Sequence, residues 1–251
     1  MTDQRAAALI AASRTLASQG EALRFAAPTA WVYNPLVYAQ EPAESYLARY
    51  GRGRKRVLFV GMNPGPWGMA QTGVPFGEIA AVRDWMGIAG RVESPATICP
   101  AKPVSGFACP RSEVSGRRLW GLMQKRFGEA PVFFAGHFVT NYCPLMFLEA
   151  RGANRTPDKL HRHEREPLFE ICDAHLQAVI AALEPEYVVG VGKFTEGRIR
   201  ALAAAASRNP TFKAAGILHP SPANPRANRG WAELAAAQLT DLGVWPEPAP
   251  A

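Results

Sequence analysis

Apolar residues recur along this chain in two rhythms, and the switches between them divide it into elements. Residues 2–19 carry Ala7, Ala8, Leu9, Ile10 and Leu16 at helical spacing, with Gly20 as a stop. Residues 42–50 predict a short helix. "KRVLFVG" (55–61) is continuously apolar at its centre, the mark of a strand buried on both faces. "GRRLWGLMQKRFG" (116–128) returns to helical spacing, with Leu119, Leu122, Met123 and Phe127 on one side. "PVFFAGHFVTNYCPL" (131–145) contains a second strand that ends near Asn141. A long helix over 165–185 is stopped by Pro185, and "EYVVGVG" (186–192) is a third strand. A helix over 193–207, a fourth strand at "FKAAGILHP" (212–220) and a last helix over 226–244 complete the series. The tail "PEPAP" reads as frayed linker.

Strands alternating with helices predict an α/β fold around a parallel sheet. No internal repeat, low-complexity linker or interior composition break divides the chain, so residues 1–251 are read as one domain. In such sheets ligands bind beyond the carboxyl ends of the strands. Polar residues fall at those ends: Asn63, Asn141, Lys193 and His219. The first end is also unusual. Between Gly61 and Glu78 the chain holds Pro64, Gly65, Pro66, Gly68, Gly73, Pro75 and Gly77. Such a stiff loop, poor in side chains, lets the backbone approach a flat ligand closely.

Composition narrows the class. With 48% hydrophobic residues and a mean hydropathy of -0.10, the 251-residue chain is that of an ordinary globular protein. No apolar run approaches the roughly 18 residues of a membrane span. Met1-Thr2-Asp3-Gln4 opens no basic region followed by an apolar core, so no secretory signal is read and a cytoplasmic location is expected. There Cys99, Cys109, Cys143 and Cys172 would stay reduced. Their spacings are long and irregular, without a Cys-x-x-Cys pair, which disfavours a zinc ribbon. A cluster held by scattered cysteines is the less favoured reading; packing as small buried hydrophobes is preferred. No metal or cofactor is called for.

Charge changes the picture further. The net charge is +7 and the pI about 9.5, the electrostatic footprint of a nucleic-acid binder. "RYGRGRKR" (49–56) holds five basic residues, readable equally as a solvated loop or a phosphate contact. "RGANRTPDKLHRHER" (151–165) holds five Arg and Lys with His161 and His163, and its turn formers favour a loop facing phosphate.

The loops lack G-x-x-x-x-G-K-[ST], and no G-x-G-x-x-G opens a helix directly, so a nucleotide-phosphate cradle is disfavoured. Asn63 and Asn141 each offer donors and acceptors suited to reading a base edge, although an Asn before a proline also serves as a turn residue. His219, ahead of "PSPANP", stands where a neutral imidazole can donate to a developing oxyanion, or where it is merely structural. Phe76 is a stacking platform or part of the core.

Taken together, "GMNPGPWGMAQTGVPFGE" (61–78), "NYCPL" (141–145) and "HPSPANPRANRGW" (219–231) resemble, in order, the single-strand-selective monofunctional uracil-DNA glycosylases of the uracil-DNA glycosylase superfamily. The resemblance covers roughly residues 20–245. It implies a three-layer α/β domain with a central four-stranded parallel sheet, and extrusion of a damaged base into a pocket at the sheet's edge. It further implies that Asn63 holds the attacking water, that His219 supports the leaving base, that Asn141 reads the uracil edge and that Phe76 stacks on the ring. The Met62 backbone would line the base pocket. Gly65 would leave space where relatives that exclude thymine carry a tyrosine. The segment 151–165, with Arg151, Arg155 and Lys159, matches a DNA-contacting insertion. The segment 220–231, with Ser221, Pro222, Ala223, Arg226 and Arg229, matches a loop that wedges into the duplex.

Ala223 departs from relatives that carry arginine in the wedge, which leaves duplex activity open, with Arg226 or Arg229 as candidates to compensate. The signature motifs contain no lysine for a lyase, so plain hydrolysis is favoured. The implied activity is excision of uracil and 5-substituted uracils such as 5-hydroxymethyluracil, with DNA as partner and the protein acting as a monomer. It would work at the nucleoid in a bacterium or in the nucleus of a eukaryote. The competing readings are a relative retuned to deaminated purines such as xanthine, and a module that binds damaged or single-stranded DNA without cutting it.

Overall fold

The computed structural model describes residues 3–205 and 211–246. In chain order its elements are α1 (Gln4–Ala22), β1 (Thr29–Tyr33), α2 (Pro35–Tyr38), α3 (Gln40–Tyr50), β2 (Val57–Gly61) and α4 (Met69–Thr72). Then come α5 (Val114–Phe127), α6 (Ala130–Gly136), β3 (His137–Asn141), β4 (Met146–Glu149), β5 (Asn154–Arg155) and α7 (Arg162–Leu183). Last are β6 (Tyr187–Val191), α8 (Lys193–Ala205), β7 (Lys213–Ile217) and α9 (Trp231–Asp241).

The apolar strands pair in parallel in the order β3-β2-β6-β7. β2, β3 and β6 are buried along their whole length, as expected for a sheet covered on both faces. Around it α1 packs on α7 and α3, and α5 packs on α6 and α9. Asp3 caps α1 by accepting from the Arg5 and Ala6 backbone N–H groups. This is the four-stranded parallel sheet with flanking helices that the sequence predicts.

Three features differ from the sequence reading. First, the strand expected within 131–145 is present and ends at Asn141 as predicted, but an unanticipated helix precedes it: α6 buries Phe133 and Phe134, and the strand begins at His137. Apolar runs this short do not separate helix from strand by periodicity. Second, a small antiparallel sheet, β1-β4-β5, stands beside the main one and was not read. Third, the last helix starts at Trp231 rather than 226; residues 220–230 are loop and a 3₁₀ turn at Ala227–Arg229. The helix over 193–207 is described as far as Ala205, and most of the "PEPAP" tail lies outside the described residues.

The first basic cluster makes structural contacts. It lies at the amino end of β2, opposite the loops that carry the motifs. Arg49 donates to the Met86 and Gly87 carbonyls, Arg54 to Glu184, Arg56 to Gly243 and Val244, and the buried Lys55 ammonium to Phe134. These cations tie loop and helix-end carbonyls to the sheet. All four cysteines are buried free thiols. Among the described residues no helix is long and apolar enough to cross a membrane.

Candidate active site

Register assembles the site. Gly61 of β2 lies opposite Asn141 of β3, so the two strands end level. The chain continues the pairing past the sheet: Tyr142 N–H donates to Gly61 at 2.8 Å and Cys143 N–H to Met62 at 2.8 Å. Met62, Asn63 and Asn141 therefore leave the sheet edge side by side. Gly61 is required here, because a Cβ would overlap the Asn141 amide and the Phe76 ring. On the other side, Gly192 N–H donates to Ile217 at 2.8 Å, which brings the end of β7, and with it His219, to the same edge.

The glycine- and proline-rich loop is locked from within. Gln71, buried in α4, donates to Pro66 at 2.8 Å and Pro103 at 2.9 Å, and accepts from Ser105 N–H. Phe76 is held at φ 51°, a left-handed conformation uncommon for a bulky residue. Its carbonyl accepts from the Trp120 indole at 2.9 Å, and Gly116 of α5 lets that helix approach it. Conformations of this kind cost about 1–3 kcal/mol and persist only where the surroundings over-determine them. The result aims the Phe76 ring to within 6.3 Å of the His219 ring.

These groups converge on a cleft of about 440 Å³. Met62, Asn63, Gly65, Phe76, Asn141, His219, Ser221 and Pro222 all line it, as their positions in the motifs suggest. A second void of about 40 Å³, behind Asn141, is enclosed largely by apolar residues including Leu9, Tyr46 and Val179. It is too small for a base.

Hydrogen bonds orient the polar side chains. Asn63 Nδ2 donates to the Leu145 carbonyl at 3.3 Å, which leaves Oδ1 as the free acceptor. Asn141 Nδ2 has only the Met69 thioether, a weak acceptor, at 3.1 Å. Ser221 N–H donates to His219 Nδ1 at 3.0 Å. Burial drives the His219 pKa down to about 4, so the ring is neutral at physiological pH. With Nδ1 accepting, the single ring proton sits on Nε2.

Several contributors were not read from the sequence. Glu113, the residue before α5, lines the cleft; burial first and the neighbouring Glu78 second push its carboxyl up to about 7. Trp67 carries two cations on its ring, Arg111 at 4.4 Å and Lys102 at 4.9 Å. Asn154 and Thr156 bring the 151–165 segment to the cleft wall. Arg118 of α5 donates to Pro220 and to Asn228 Oδ1, each at 2.9 Å, and so braces the loop that follows His219.

The six remaining sequence candidates stand outside the cleft lining. Arg151, Lys159, Ala223, Arg226 and Arg229 are exposed. Arg155 is half-buried and already engaged, donating to Thr29 Oγ1 at 3.3 Å and to the Lys159 carbonyl. Lys159 pairs with Asp158 at 3.5 Å.

Strand ends of the parallel sheet thus present an amide pair, a ring and a neutral histidine to one cleft, and the chain as a whole is similar to known proteins. The family described as the uracil DNA glycosylase superfamily matches residues 48–240. The single-strand selective monofunctional uracil-DNA glycosylase of Rattus norvegicus is 50% identical over 224 residues, 89% of this chain and 80% of that protein. Its counterpart from Bos taurus is 49% identical over 224 residues, 89% of this chain and 82% of that one. The crystal structure of wild-type SMUG2 from Pedobacter heparinus superposes with a TM-score of 0.63 at 16% identity, over 93% of this chain and 97% of that one, and shares the fold. The chain belongs to the uracil-DNA glycosylase superfamily and, within it, to the single-strand selective monofunctional uracil-DNA glycosylases.

Proposed function

We infer that this cleft hydrolyses the N-glycosidic bond between uracil and deoxyribose in DNA and leaves an abasic site. The observation that carries the reading is the pairing of a neutral His219, its Nδ1 fixed by Ser221, with Asn63 across a cleft bordered by Phe76.

The chemistry follows from charge. As the bond lengthens, the sugar becomes cationic and the departing uracil anionic. His219 Nε2–H donates to the uracil oxygen where negative charge gathers, without having to transfer its proton. Asn63 Oδ1 accepts a hydrogen bond from a water and aims it at the sugar carbon; an amide cannot deprotonate that water, but the cationic sugar does not require it. Asn141, free of a strong partner, reads the uracil edge by its donors and acceptor. Phe76 stacks on the ring and the Met62 backbone lines the pocket. Removing one preorganised donor to a developing anion costs about 2.7–4 kcal/mol in rate.

DNA is the partner. Arg151, Arg155 and Lys159 in one segment and Ser221, Pro222, Ala223, Arg226 and Arg229 in the other are the proposed backbone and wedge contacts. The exposed positions of Arg151, Arg226 and Arg229 favour this reading. Trp67 with Arg111 and Lys102 adds a cationic aromatic wall of the kind that holds single strands. A hydrophobic core continuous from Leu9 to Trp245 supports the view that the whole chain acts as one domain. The proposed base range includes 5-hydroxymethyluracil, and the protein is proposed to act as a monomer at the nucleoid or in the nucleus.

The test is a panel of single-stranded oligonucleotides carrying uracil, 5-hydroxymethyluracil, xanthine or hypoxanthine, scored for free base and alkali-labile sites. Release of uracil and 5-hydroxymethyluracil is expected. Release of purines alone, or tight binding with no base release at enzyme excess, contradicts the reading.

A further inference from the structure

The basic cluster at the amino end of β2 divides in two. Arg54 and Arg56 face carboxylates, those of Glu184 and Glu186. Arg49, Arg52 and Lys55 form no ion pair among the described residues and meet only carbonyl oxygens. Arg49 spends Nη1 on Met86 and Gly87 at 2.9 and 2.7 Å, Arg52 spends Nε on Ala48 at 2.8 Å, and Lys55 gives one N–H to Phe134. Their other N–H groups have no protein acceptor among the described residues. These three cations line one cleft of about 460 Å³, within the size range of small-molecule sites, and no carboxylate lines it. Tyr50, Pro131 and Phe134 are among its apolar walls. Lys55 is only 3% exposed, so its ammonium lies at the buried end. Burial pulls its pKa down to about 8, against a smaller opposing pull from Asp3. Asp3 does not line the cleft, and its oxygens accept from the backbone N–H groups of Arg5, Ala6 and Gly53. A buried cation with like charges beside it and no counter-charge is costly, and an anion in the cleft removes that cost.

We propose that this cleft is a second binding site, in which Arg49, Arg52 and Lys55 hold the phosphate group of a small phosphorylated molecule. Two guanidinium forks and an ammonium offer more donors than one carboxylate accepts. The oxygens and double charge of a phosphate match them better. The apolar walls give the organic part of a phosphate ester a surface to rest on. The site stands apart from the catalytic cleft. Lys55 precedes β2 and Phe134 precedes β3, and these strands run parallel, so the cleft borders their amino ends. Asn63 and Asn141 stand at the opposite ends. Occupancy of one cleft therefore does not block the other.

The test follows the titration of Lys55 by carbon NMR of the lysine Cε groups, its signal assigned by its loss in Lys55→Arg. Samples at matched ionic strength contain chloride, acetate, inorganic phosphate, deoxyadenosine monophosphate or a uracil-free single-stranded oligonucleotide. In chloride the midpoint should lie near 8. Phosphate and the monophosphate should raise it saturably to about 9 or above, as an opposite charge in contact does. Arg52 is exposed and donates only to its neighbouring helix turn, so Arg52→Gln should fold. That variant should bind phosphate about tenfold more weakly and release uracil at the wild-type rate. The same midpoint in phosphate as in chloride, or unchanged phosphate affinity in Arg52→Gln, overturns the inference. So does acetate acting as strongly as phosphate, which would assign the cleft to carboxylates. A response to the oligonucleotide alone, or slower uracil release by Arg52→Gln, would make it a contact for DNA and overturn the inference as well.

Discussion

His219 owes its chemistry to its setting: one ring nitrogen is committed to the Ser221 N–H, and burial keeps the other nitrogen's proton in place. Protonating Nδ1 would set two donors against each other, so ring charge and loop geometry are coupled. Nitrogen-detected NMR should show the Nε2–H tautomer at pH 7 and a ring still neutral at pH 5.5. Titration near the usual 6.5 would contradict this arrangement. At this scale the sequence is informative about the residues inside the motifs. Asn63, Phe76, Asn141 and His219 each carry an individual ambiguity, and their joint pattern anticipates that all four line one cleft. Glu113 is different. It meets Gly65 and Gly68 only because α5 begins beside that loop, and a contact between residues so far apart in the chain leaves no local spacing to read. The Phe76 backbone at φ 51° is equally illegible, because nothing about a phenylalanine announces it.

Among elements, the buried strands are legible because a sheet covered on both faces needs uninterrupted apolar runs. β4 and β5 are not, since four and two residues give too few alternations to register. The loop after β7 shows what an element-level brace does. Arg118 holds it at Pro220 and Asn228, while Asn228 Nδ2 donates to Pro222 at 2.9 Å. Arg118→Ala should slow uracil release about tenfold by loosening the His219–Ser221 geometry, with little change in Tm. An unchanged single-turnover rate would mean the loop holds itself. The 151–165 segment divides by function. Arg155 ties it to Thr29 and Lys159 carries an Asp158 partner, so Arg151 is the cation best placed for phosphate. Arg151→Gln should lower the slope of log affinity against log salt by about 0.7–0.9, the value of one phosphate contact. Arg155→Gln should cost stability first. Equal slopes for wild type and Arg151→Gln would assign this segment to solvent.

For the whole molecule, buried titratable groups set how stability follows pH. Burial lowers His137, His175 and His219 to about 4 each, below the usual 6.5. Between those values the unfolded chain binds more protons than the folded one, so stability is full above pH 6.5 and falls as pH drops toward 4. Glu113 works in the opposite sense. Its folded pKa of about 7 lies above the usual carboxyl value, so its neutral form favours the fold below pH 4.5 and that contribution is lost as pH rises through 7. Three groups outweigh one, and Tm should decline on acidification from pH 7 to 4.5. Glu113→Gln should match wild type near pH 5 and exceed it by a few degrees at pH 8, at about 2–4 °C per kcal/mol for a chain of this size. A variant less stable than wild type at pH 8 would show that the carboxylate has a partner.

The central claim is that Asn63 and His219, at one sheet edge, cut uracil from DNA. The most direct measurement is the single-turnover rate of uracil release from a single-stranded oligonucleotide by wild type, Asn63→Ala and His219→Ala, with DNA affinity measured alongside. The account predicts release by wild type, a loss of about 10²–10³ for His219→Ala, and a comparable or smaller loss for Asn63→Ala, with binding retained in both. Wild-type turnover by the His219 variant, or uracil left in place by wild type at enzyme excess, would contradict it.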